Sequence, residues 1–103
     1  MYSFQTRGNM DTQEKISIIC DNLKEMLLEK NKNYGDSCFQ PINVFFKKED
    51  FDSTDSIALR LDEKLLRLKN STELRKNDCI DSIGYLILLC IAKDWVDFRD
   101  QID

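Results

Sequence analysis

The sequence has no histidine, a single proline and three glycines among its 103 residues. Without an imidazole, every His-dependent catalytic triad and every His-ligated zinc site is excluded. The longest apolar run, Ile83 to Ala92, is interrupted only by Gly84. It falls well short of the roughly 20 residues that span a bilayer. No apolar block follows Arg7 in the first ten residues, so no signal peptide is expected. A C-x-x-C spacing is also missing. Cys20, Cys38, Cys79 and Cys90 are scattered among apolar or mixed residues, which predicts free thiols and a cytosolic protein. Nineteen acids against fifteen bases give a net charge of −4, which argues against broad attraction to nucleic-acid backbones or anionic membranes.

What is present describes a globular chain: 42% hydrophobic and 33% charged residues, enough for one core. At this length a single domain is expected, from residue 11 to residue 103, behind an N-terminal extension over residues 1–10. Such a domain buries roughly two-thirds of its unfolded surface, so subunit contacts matter and a homo-oligomer is expected.

Asp11 followed by Glu14 resembles a capping box, and Ile16, Ile19, Cys20, Leu23, Met26 and Leu27 recur at helical spacing. A first helix is predicted from about Thr12 to Asn31, stopped by the turn formers Asn31, Asn33, Gly35 and Asp36. Pro41 can open a short second helix carrying Ile42, Phe45 and Phe46. Asp52 or Ser53 can cap a third, whose stripe is Ile57, Leu61, Leu65 and Leu68 and whose end is near Asn70. After a polar connection, Ser71 to Asn77, the segment from Asp78 to about Phe98 is apolar all round and reads as a central helix. No segment alternates as a strand would. The expected fold is all-α, a small antiparallel bundle of about four helices.

Several constellations bear on chemistry. Arg60, Glu63, Lys64 and Arg67 share an arc of roughly 100° on the third predicted helix, and three fixed cations suit a polyphosphate. The same spacing also describes a solvated face with a Glu63–Arg67 pair. Asp78 and Asp81 lie three apart, with Ser82 and Tyr85 on their face. Among apolar neighbours Asp81 needs a partner, either a cation from the third helix such as Lys64 or Arg60, or a divalent metal ion. Glu25 and Glu29, with Asp21, form a stripe opposite the apolar face of the first helix, either solvated or directed at a metal. Asn33, Tyr34 and Asp36 belong to a segment that can read a base or sugar, or simply end a helix. Asp94, Asp97, Asp100 and Asp103 read as a fraying tail without chemistry.

Together, the stretch Lys30 to Ser37, the R-x-x-[DE]-K-x-x-R block at Arg60 to Arg67 and the D-x-x-G-Y block at Asp81 to Tyr85 resemble the nucleotide modification associated domain 1 family of phage and bacterial proteins. The resemblance covers about Leu23 to Leu89. That family is more remotely similar to the MazG-like all-α NTP pyrophosphatases, in which helical acidic motifs bind Mg²⁺. The resemblance implies a nucleotide or nucleotide-derived ligand, with Arg60, Lys64 and Arg67 on its phosphates and Asn33, Tyr34, Asp36 and Tyr85 around the rest of it. Three functions stay open. One is an anti-defence protein of the host cytosol that sequesters a nucleotide immune signal intact. Another is a Mg²⁺-dependent (d)NTP pyrophosphohydrolase using Glu25, Glu29, Asp78 and Asp81 as metal ligands. The third is a structural protein–protein interaction module. Glu25 and Glu29 are spaced i, i+4 where the MazG pattern has E-x-x-E, and no catalytic residue is assigned.

Overall fold

The computed structural model describes residues 10–39 and 52–102, and every regular element among them is helical. There are three α-helices, α1 (Thr12–Tyr34), α2 (Ser53–Asn70) and α3 (Lys76–Ala92), and two short 3-10 segments, Ser37–Phe39 and Arg99–Gln101. The expected number of about four α-helices is therefore corrected to three among the described residues. The short helix expected over Ile42 to Phe46 lies outside them. No described helix is long and apolar enough to cross a membrane. The chain divides into two compact units, Met1–Tyr34 and Gly35–Asp103.

In the first unit, the Asp11 carboxylate accepts the backbone N–H of Glu14 at 2.8 Å, so the predicted cap forms and opens α1. The helix runs three residues past its expected end. Asn31, Lys32 and Asn33 carry no steric bar to helix, and Lys32 in the last turn complements the helix dipole. The chain leaves the helix only where Gly35 takes φ +63°, a conformation that costs a residue with a Cβ about 1–2 kcal/mol. No residue of α1 is buried.

The second unit is built on a helical hairpin. Asp52 caps α2 by a reciprocal box: its carboxylate accepts the Asp55 N–H at 3.0 Å, and the Asp55 carboxylate accepts the Asp52 N–H at 3.2 Å. The five residues from Ser71 to Arg75 then connect α2 to α3, and the two helices pack together. The stripe on α2 is only half core. Ile57 is fully buried and Leu61 nearly so, whereas Leu65 is exposed. Ser56, also fully buried, shows that α2 turns a flank beside the predicted stripe toward the interior.

The reading of α3 as a central, all-round apolar helix needs correction. Its buried residues are Asp78, Ser82 and Gly84, while Leu86 and Ile91 are half exposed. The small and polar side of α3 faces α2. The helix also ends at Ala92 rather than near Phe98. Asp94 adopts φ 58°, the Trp95 N–H bonds the Cys90 carbonyl at 2.8 Å, and the Asp94 N–H bonds the Ile91 carbonyl at 3.0 Å. This is a Schellman closure in which Asp takes the place usually given to Gly, because its short polar side chain tolerates the left-handed region.

Candidate functional site

The cations on α2 do not form one receptacle. Lys64 is bound to Asp81 of α3, Nζ to Oδ2 at 3.1 Å, with both side chains largely withdrawn from water. Of the two roles open to Asp81, the structure shows the interhelical pair. Arg60, half-buried, acts electrostatically on Cys38 in the 3-10 segment that packs on α2. Arg67 lies about 10 Å along the axis from Arg60 and is exposed at the end of the hairpin.

At that end the structure does gather charged and polar groups. A cavity of about 570 Å³ is lined by Arg67 and Asn70 from the last turns of α2, Ser71 and Thr72 from the connection, and Arg75 and Asp78 at the start of α3. It is an open depression at the hairpin end rather than an enclosed pocket. Arg75 is the N-cap residue of α3 and makes no side-chain capping bond, so the first N–H groups of this helix are left without a capping side chain. Two guanidinium groups beside a helix N-terminus form an anion-attracting environment. Asp78 is only 3% exposed, and its backbone carbonyl accepts the Ser82 hydroxyl at 2.7 Å. That bond spends the Ser82 hydrogen within the helix.

The other candidates are dispersed. Asn33 and Tyr34 form the last residues of α1 rather than a loop, and both are exposed. Asp36 is in the turn after Gly35, in the second unit. It acts on Cys38. Tyr85 is half-buried, one turn beyond Asp81. Glu25 and Glu29 lie exposed on α1. Among the described residues, no group of three or more Cys, Asp or Glu is placed to hold a metal ion.

All four cysteines are free, as their spacing predicts. Burial pushes the Cys38 thiol up. A backbone hydrogen bond opposes this, Asp36 adds to it, and Arg60 opposes it again. Cys20 is exposed. At pH 8, mass-spectrometric mapping of alkylation is expected to find Cys20 modified several-fold faster than Cys38, and Asp36→Asn is expected to narrow the gap by lowering the Cys38 pKa.

Sequence reasoning missed Arg75, Asn70, Ser71 and Thr72, because a polar connection between helices reads as a linker. The available signal was Arg75 immediately before a helix whose first turn carries Asp78. No protein-family model matches the chain, and no curated protein or solved structure matches it.

Proposed function

We propose that the chain is a small binding protein for a nucleotide or nucleotide-derived anion, received at the end of the α2–α3 hairpin. The observation that carries this reading is the placement of Arg67 and Arg75, from different helices, around one open depression together with Asn70, Ser71, Thr72 and the acidic Asp78. Guanidinium groups grip phosphate oxygens in pairs, and the amide and hydroxyls supply further hydrogen bonds to a sugar or base. The resemblance to the nucleotide modification associated domain 1 family adds the nucleotide class of the anion. Sequestration of a nucleotide signal by a phage-type protein is our reading of the incomplete acidic motif and the small size of the chain.

Binding without turnover is the form of the proposal. The pyrophosphohydrolase reading requires Mg²⁺, and the described carboxylates do not fit such a site: Asp81 is held by Lys64, and Asp78 is the one carboxylate among the described residues lining the cavity.

The test is thermal denaturation and calorimetry with a panel of mono-, di- and triphosphate nucleotides, followed by recovery of the ligand. A ligand at about 100 times its Kd stabilises the fold by about 2.7 kcal/mol. Arg67→Ala and Arg75→Ala are each expected to weaken binding about tenfold or more, the value of a charge-assisted hydrogen bond, while leaving the melting temperature of the free protein unchanged. The ligand is expected to be recovered chemically intact. Equal binding by wild type and both variants would reject the cavity as the site, and released pyrophosphate would replace sequestration by hydrolysis.

A further inference from the structure

Asp78 is the group at the hairpin end that anion binding does not use. It lines the depression beside Arg67 and Arg75, yet the residue is only 3% exposed. Its backbone carbonyl is engaged by Ser82, whereas among the described residues its carboxylate enters no hydrogen bond or ion pair. Neither arginine closes on it. No side-chain oxygen among the described residues is both sealed from solvent and unpaired, so the small exposure that Asp78 keeps lies at its carboxylate oxygens, on the wall of the depression.

A carboxylate withdrawn from water is costly unless something pairs with it. When ionised it can only accept hydrogen bonds, so what pairs with it must bring donors. A phosphate, itself an anionic acceptor, is turned away. The depression therefore carries two unlike subsites: guanidinium groups and the uncapped first turn of α3 for an anion, and a pair of acceptor oxygens for a donor edge.

On the nucleotide-binding reading, on which this step rests, the phosphate takes the first subsite and the base faces the second. Among the unmodified nucleobases, guanine alone sets two donors side by side, N1–H and the N2 amino group. Adenine and cytosine place a ring-nitrogen acceptor beside their amino group, and uracil and thymine flank one N–H with carbonyl oxygens. From this we infer that Asp78 selects the base and that the ligand carries guanine, whose N1–H and N2–H donate to the two carboxylate oxygens. Adenine would aim a lone pair at the same carboxylate. A buried charged acceptor set against another acceptor is penalised beyond the loss of its bond, which makes the discrimination large.

Calorimetric titration of the full chain with GMP, IMP and AMP in the presence of EDTA tests the assignment, because the three share one phosphate and differ in the base edge. GMP is expected to bind about tenfold or more tightly than AMP, the range of a bidentate pair, with IMP, which lacks the amino group, between them. Asp78→Asn, nearly isosteric, is expected to bring GMP and AMP within about threefold of each other, with circular dichroism as the control for folding. The wild-type series decides the matter even where the variant fails to fold. Equal binding of GMP and AMP by the wild type, lost in Arg67→Ala, would overturn the guanine assignment and leave the anion site standing. Binding of no nucleotide would overturn both. A preference for GMP that dGMP does not share would assign Asp78 to the sugar hydroxyls, and binding that appears only with Mg²⁺ would make it a metal ligand; either result overturns base selection.

Discussion

Replacing Ile57 by Ala is expected to destabilise the hairpin unit by about 2–5 kcal/mol, the range for truncating a fully buried aliphatic side chain. The expectation is at the upper end because the side chain is completely enclosed. Ile57 is completely buried and Leu61 is 9% exposed, and they are the buried hydrophobic side chains among the described residues. Whole small domains are stable by only about 5–15 kcal/mol, so this change alone removes a large share. Urea denaturation followed by circular dichroism measures it. A loss below about 1 kcal/mol, the usual size for exposed positions, would show that α2 does not bury Ile57.

The second large effect concerns Lys64 and Asp81. Removing one member of a largely buried ion pair leaves the other charge desolvated. A fully buried pair loses about 3–5 kcal/mol in this way, and the partial exposure here reduces the expected cost to about 2 kcal/mol for Asp81→Ala. Replacing both partners with apolar groups, Lys64→Met with Asp81→Leu, is expected to recover most of that loss, because no unpaired charge remains. If the double variant is as unstable as the sum of the singles, the two side chains are not coupled.

Much of the secondary structure was legible from local chemistry. Asp11 and Asp52 declare their helices by offering a carboxylate to a backbone N–H three residues on, and both do so in the structure. The Lys64–Asp81 pair could be anticipated because an acid in an apolar helix needs a counter-charge, and the hairpin supplies one across a short connection. Helix ends were harder to place. Nothing in the types of Asn31 to Asn33 stops a helix before Gly35, and Asp94 gives only a weak signal that it will adopt a positive φ. The side of α2 that faces inward was misjudged because Ser56 reads as polar, yet its small size suits a tight interface. The candidate site divides in the same way. Arg67 was legible as a cation on a helix end, while Arg75 gained its place only from the turn that brings it beside Arg67.

Ser56 on α2 and Ser82 and Gly84 on α3 are buried, and a buried small residue leaves room for a close neighbour. Interaxial distance follows the girth of the side chains held between two helices, and slender ones let the backbones draw near. The reach of a lysine toward an aspartate on the neighbouring helix depends on that clearance. Widening the gap with a Ser82→Leu wedge, one residue along α3 from Asp81, would therefore be felt as an ammonium group left hanging short of its carboxylate.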